Sequence, residues 1–176
     1  ERHLDALPER CGPRIVAFLG GTIGNLRPRT RRAFLARIAG RLEPGDTFLL
    51  GTDLVKDPQV LLAAYDDSRA VTAEFNRNIL AVLNRELGAE FDLHAFEHVA
   101  LWNAAAEWIE MRLRSRVDQR VAIAALAIEA DFAAGEDVLT EISAKFTPQR
   151  IDADLAAAGL VPVARWSDTA GRFAVT

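Results

Sequence analysis

The tract IVAFLGGTIGNL constrains this chain more than any other. Ile15 to Leu19 form a continuous apolar run, and Gly20, Gly21, Thr22, Ile23, Gly24 and Asn25 follow at once. A short apolar run bounded by Pro13 and Gly20 predicts a strand covered on both faces. Three glycines in five positions predict a loop in which a ligand can approach the backbone more closely than a Cβ allows. Next, Arg31 to Leu42 places Phe34, Leu35, Ile38 and Leu42 at helical spacing, and Glu43-Pro44-Gly45-Asp46 ends the helix. Thr47 to Leu50 predicts a second strand, closed by Gly51. Strand, helix, strand in this order is a βαβ unit with parallel strands, so the loops GGTIGN and GTDLVKD share one rim. That rim is where open parallel sheets bind ligands.

The rest of the chain changes character. Pro58 to Leu87 predicts two helices broken near Ser68 to Thr72, and Leu93 to Ala100 predicts a third, short one. From Trp108 the period becomes two, with Ile109, Met111 and Leu113 alternating with Glu110, Arg112 and Arg114, the pattern of a strand with one dry and one wet face. Further strands are expected at Arg120 to Ile128 and Val138 to Phe146, with the turn at Gly135-Glu136-Asp137. A helix over Arg150 to Ala158 and edge strands at Leu160 to Trp166 and Phe173 to Val175 complete the reading. The expected organisation is α/β material at 1–55 and 147–176 enclosing an inserted helix-plus-antiparallel lobe at 56–146, placed to cover the rim.

Composition narrows the function classes. Half of the 176 residues are apolar and the formal charge is −4, which fits a soluble globular chain in the cytoplasm and gives no basic block for nucleic acid. Arg27, Arg29, Arg31 and Arg32 read as a solvated helix start. No apolar run is long enough to span a bilayer, and ERHLDALPER lacks the order of a signal peptide. The single cysteine, Cys11, has no disulfide partner in the chain, and His3, His94 and His98 show no zinc-ligand spacing, so no metal is expected.

The strand Leu139 to Phe146 holds the strongest chemical pattern. Glu141 and Ser143, two apart, share a face. A carboxylate accepts from one ring nitrogen of a neutral imidazole while a hydroxyl donates to the other. From spacing alone the solvent face of a half-buried strand is the stronger account of the pair. Other residues have ordinary accounts too: Tyr65 as a core-edge residue, Asn25 as a helix N-cap, Met111 as packing, Asp53, Lys56 and Asp57 as a surface loop.

Taken in order, FLGGTIGNLRP, GDTFLLGTDLVKDPQVLLAAYDD, VTAEFNRNILAVLNRELGAEFDL, FEHVA, IEM and LTEISAKF resemble the histidine-specific Nα-methyltransferases of ergothioneine biosynthesis, over essentially the whole chain. The resemblance implies an S-adenosylmethionine-dependent enzyme that methylates the α-amine of L-histidine three times to hercynine. It implies that Asn25 and Tyr65 hold the backbone end of the amino acid, that Gly20 and Thr22 line the loop near the amine, that Glu141 and Ser143 take the imidazole, and that Met111 lines the side-chain pocket. The implied fold is a partial Rossmann-like methyltransferase sheet with an inserted α+β substrate lobe.

In that family the glycine-rich turn and the ribose-binding acid precede the region matched here, and no such turn lies before Ile15. The chain is therefore expected to be the C-terminal portion of a longer enzyme, with most of the S-adenosylmethionine site upstream of Glu1 and no assignable cofactor contact or catalytic base of its own. Self-association through exposed sheet edges is an expected consequence. A non-catalytic amino-acid-binding or complementing subunit, and a methyltransferase for another amino acid, are the alternatives.

Overall fold

A computed structural model describes residues 12–176; Cys11 and His3 lie outside them. The chain divides into two compact units. One comprises the described residues through Val55 together with Ser143–Thr176, and the other is Lys56–Ile142.

In the first unit, strand β1 (Ile15–Phe18) runs through a 3₁₀ turn (Thr22–Asn25) to helix α1 (Pro28–Ala39) and strand β2 (Thr47–Asp53). β1 and β2 pair in parallel, Ile15 opposite Thr47 through Phe18 opposite Leu50. The sheet order is β1-β2-β9-β8, with β8 at Trp166–Ser167 and β9 at Phe173–Val175, both added antiparallel. The α/β class and the βαβ unit expected from the sequence are present.

Several local expectations need correcting. β1 is not covered on both faces, since Ile15 is 73% and Leu19 52% exposed; among the described residues it forms an outer edge of its sheet. Helix α1 starts earlier than expected, because Pro28 at its first turn supplies the fixed φ a helix start needs. Leu160 to Ala164 form no strand, and only Trp166–Ser167 pair with β9. Helix α4 (Pro148–Ala157) is capped by Thr147, whose side chain accepts from the Arg150 amide at 3.2 Å. It contacts α1 through Arg31, which is buried, donates to Asp154 at 2.7 Å and lies over the Phe146 ring. Burial lowers the Arg31 pKa and Asp154 opposes that shift. Arg31 is thus a core anchor and not part of a solvated helix start.

The second unit opens with helices α2 (Pro58–Tyr65) and α3 (Val71–Leu87), separated at the predicted break. Asp57, expected in a surface loop, caps α2 by accepting from the Gln59 amide at 2.8 Å. The expected helix at Leu93 to Ala100 is instead a single 3₁₀ turn at Leu93–Ala95 followed by strand β3 (Phe96–Asn103). β3 pairs with β4 (Trp108–Ser115) over its full length, Phe96 opposite Ser115 through Asn103 opposite Trp108. Strand pairing here overrides a helical-looking spacing too short to nucleate alone. The run expected as one strand at Arg120 to Ile128 is a hairpin, β5 (Gln119–Ile123) and β6 (Ile128–Phe132), turned through Ala127 in the left-handed region. β7 (Asp137–Ala144) completes a three-stranded sheet in the order β3-β4-β7.

One apolar cluster of this unit joins Leu80, Phe91, Phe96, Leu113 and Val121, with Phe96 edge-on to Phe91 and Phe132. The alternation of β4 sets its dry face as expected. Its other face is not wet throughout: Glu110 is buried, accepting from Trp108 Nε1 at 2.8 Å and Asn103 Nδ2 at 3.0 Å and pairing with Arg112. These donors hold the Glu110 carboxyl down at about 2. No helix among the described residues is long and apolar enough to cross a membrane.

Candidate active site

The carboxyl ends of β1 and β2 deliver their loops to one edge of the first unit. After β1, Gly20 and Gly21 both take positive φ, 82° and 71°, which lets the chain turn abruptly into the 3₁₀ turn. Among the described residues, a Cβ built on Gly20 would meet nothing within 4 Å. Gly24 has the opposite reason to be glycine: a Cβ there would lie 2.5 Å from the Ala144 carbonyl oxygen. The GTIGN turn is therefore pressed against the backbone that follows Ser143, while the Thr22 and Asn25 side chains are exposed. Asn25 is the last residue of the 3₁₀ turn and does not cap α1, whose N-cap is Arg27.

Residues 143–146 lie beside the end of β2 in the same unit. The Phe146 amide donates to the Asp53 carbonyl at 2.9 Å and the Val55 amide to the Phe146 carbonyl at 3.0 Å. Between these bonds sits a charged group that sequence reasoning missed. Lys145 is 1% exposed; its Nζ pairs with Asp53 Oδ2 at 2.8 Å and donates to Ser143 Oγ at 2.8 Å. Ser143 is itself buried, so the solvent-face account of this position does not hold. The available signal was the period-two spacing of Ser143 and Lys145, which puts a cation on the same strand face as the hydroxyl.

In the second unit, Glu141 is half-buried on β7, and burial raises its pKa. Met111 is buried on β4 and clusters with Leu61 and Ile109, and Tyr65 packs against the same cluster. Two of the predicted site residues are thus brought together at the end of α2. That helix end is held from behind. His98 Nε2 lies 2.8 Å from the Tyr65 carbonyl oxygen, and His98 Nδ1 lies 2.9 Å from Asn76 Nδ2. Asn76, fully buried, also donates to the Arg112 carbonyl at 3.0 Å and meets Thr140 Oγ1 at 2.6 Å through its own oxygen.

A family model for the histidine-specific, S-adenosylmethionine-dependent methyltransferases matches residues 1–176. The chain belongs to that family. It is 57% identical over all 176 residues to the histidine N-alpha-methyltransferase of Mycolicibacterium smegmatis and 56% identical to that of Mycobacterium tuberculosis, covering 54% of each. It is also 32% identical over 87 residues to ergothioneine biosynthesis protein 1 of Schizosaccharomyces pombe, 49% of this chain and 11% of that one. The chain spans about half the length (54%) of the mycobacterial relatives it matches. Among solved structures, an S-adenosylmethionine-dependent methyltransferase from Clostridium acetobutylicum ATCC 824 covers 96% of this chain and 59% of its own at 8% identity and TM-score 0.46. The CcbJ methyltransferase from Streptomyces caelestis covers 97% and 59% at 14% identity and TM-score 0.46.

The family membership read from GTIGN, LVKD, AYDD and TEIS is thus the one the comparisons give. Gly20, Thr22, Asn25 and Ser143 belong to the first unit, and Tyr65, Met111 and Glu141 to the second.

Proposed function

We propose that this chain carries the amino-acid-binding part of an enzyme that transfers methyl groups from S-adenosylmethionine to the α-amine of L-histidine, ending at the trimethylated betaine hercynine, in ergothioneine biosynthesis. The observation that carries this reading is the Ser143 environment. Ser143 presents a buried hydroxyl at the end of β7, and two residues earlier on the same strand stands the half-buried carboxylate of Glu141. One donor and one acceptor, two apart on a strand, match the two nitrogens of a neutral imidazole. A phenyl or alkyl side chain offers neither group a hydrogen-bonding partner.

In this reading Asn25 and Tyr65 hold the amino acid's backbone end, Gly20 and Thr22 flank the amine, and Met111 lines the side-chain pocket. The methyl donor supplies an activated sulfonium methyl, and the chain supplies position. An α-amine of pKa about 8 is deprotonated often enough at neutral pH to act without a dedicated base. Aligning its lone pair with the methyl group is the main demand on the protein. Three successive transfers need room for the nitrogen to grow, and Gly20, which carries no side chain and has no neighbour within 4 Å of a built Cβ among the described residues, fits that need.

The test is turnover by the full-length protein with L-histidine and isotopically labelled S-adenosylmethionine, followed by mass spectrometry. Mono-, di- and trimethylhistidine appearing in sequence support the reading. Histidine binding with no methylated product points instead to an amino-acid-binding role, and a different amino acid accepting the label replaces the substrate.

A further inference from the structure

We propose that His98 is a positioning residue for the amino-acid subsite: from β3 it fixes the end of α2, and with it Tyr65, through a hydrogen-bonded series of side chains that also reaches the backbone of Met111 and the residue before Glu141. The proposal rests on the reading of Tyr65 as a contact of the amino acid's backbone end.

Three side chains from three elements form the series: His98 from β3, Asn76 from α3 and Thr140 from β7. A carbonyl oxygen only accepts, so at 2.8 Å His98 Nε2 donates to the Tyr65 carbonyl. Tyr65 is the last residue of α2, where helix carbonyls have no amide one turn further on to serve them. The His98 ring is oriented in turn by Asn76, whose Nδ2 donates to His98 Nδ1 at 2.9 Å and to the Arg112 carbonyl at 3.0 Å. Asn76 Oδ1 lies 2.6 Å from Thr140 Oγ1, which also donates to the Met111 carbonyl at 2.8 Å. Asn76 is fully buried, so bulk water does not replace a partner lost there.

The series therefore ends on the backbone of Tyr65, on the backbone of Met111 and, one peptide bond further, on Glu141. All of these residues lie in the second unit. A hydrogen bond at the carbonyl of the last helical residue fixes that peptide plane, and so the direction in which the Tyr65 side chain leaves the backbone. A group that must meet a small substrate within about 0.5 Å depends on such support. If His98 only filled space between α2 and β3, a side chain of similar volume would serve as well. Positioning requires a donor where Nε2 now stands, and the two accounts part there.

The test titrates L-histidine calorimetrically into the full-length protein and two variants, each at a temperature at which it is folded. His98→Gln carries its amide N–H at the distance of Nε2 and keeps a donor for Tyr65. His98→Asn carries its amide at the distance of Nδ1, where it still accepts from Asn76 but falls short of the Tyr65 carbonyl. Histidine affinity should stay within about twofold in His98→Gln and fall about fivefold or more in His98→Asn. In a Tyr65→Phe background, which lacks the only polar group of that side chain, His98→Asn should cost about twofold or less, because the residue it acts through no longer makes its contact. An equal loss from His98→Asn in both backgrounds, or a loss in His98→Gln as large as in His98→Asn, overturns the proposal. Tyr65→Phe alone separates the two layers: unchanged histidine affinity there defeats the role of Tyr65 itself, whereas a loss in Tyr65→Phe with none in His98→Asn removes only the role of His98.

Discussion

Asn76 Nδ2 stands 2.9 Å from His98 Nδ1, and the amide donates across that gap. Its orientation is set by the Arg112 carbonyl, 3.0 Å from the same nitrogen, which only an N–H can satisfy. His98 Nδ1 must therefore accept, and Nε2 carries the hydrogen that goes to the Tyr65 carbonyl. Nitrogen-15 NMR should find the His98 ring hydrogen on Nε2. Asn76→Leu should destabilise the protein by about 2 kcal/mol or more, because the Arg112 carbonyl, the His98 ring and the Thr140 hydroxyl all lose a partner. Denaturant melts check the size, and the Nδ1–H tautomer would contradict the assignment.

Gly24→Ala is expected to cost about 1–3 kcal/mol. The added methyl would sit 2.5 Å from the Ala144 carbonyl oxygen, a backbone atom that cannot swing aside. Gly20→Ala meets no such atom, and its cost comes from a φ of 82° that side chains rarely adopt. Thermal melts of both variants, with Gly24→Ala also weakening histidine binding through the displaced Ser143–Lys145 segment, check this distinction.

Acid stability should depend on Glu110. Its carboxyl is held at about 2, from an ordinary value of 4.5, chiefly by the Trp108 indole N–H and then by Asn103 and Arg112. A depressed folded pKa gives stability that is present above 4.5 and is lost as the pH falls toward 2. Asp137, lowered chiefly by Arg114, adds to the same limb. Glu110→Gln should flatten the loss of stability between pH 4.5 and 2, measured by urea melts across that range; an unaltered slope would contradict it.

Glu141 has the opposite sign. Burial raises its pKa, so its ionised form costs stability, and that cost appears as the pH rises through the ordinary carboxyl range and persists at neutrality. Glu141→Gln should raise Tm at pH 7 relative to its effect at pH 4 while weakening L-histidine binding. A residue that destabilises the fold yet favours the ligand is the expected mark of a binding group. A lower Tm at pH 7 would contradict the sign.

Much of this arrangement was legible in the chain because local chemistry and global fold agree there. The apolar run ending in GGTIGN yields a strand, a glycine turn and a helix, and the Ile109, Met111, Leu113 alternation gives the dry face of β4. The helix expected at Leu93 to Ala100 failed because FEHVALWN finds its partner in a strand that follows it, and pairing partners are not encoded in local spacing. Asp53 and Lys145 were missed for a related reason. They are 92 positions apart, and nothing in either neighbourhood announces the other. Glu110 looked solvated by alternation, yet Trp108 and Asn103 close over it at a hairpin end.

The most direct measurement of the central claim is the affinity of the full-length protein for L-histidine and for L-phenylalanine, with and without Glu141→Ala. The account predicts that the variant loses about tenfold or more for histidine and changes little for phenylalanine, so the preference for the imidazole collapses. Histidine affinity that survives the loss of Glu141, or falls no further than that of phenylalanine, would contradict it.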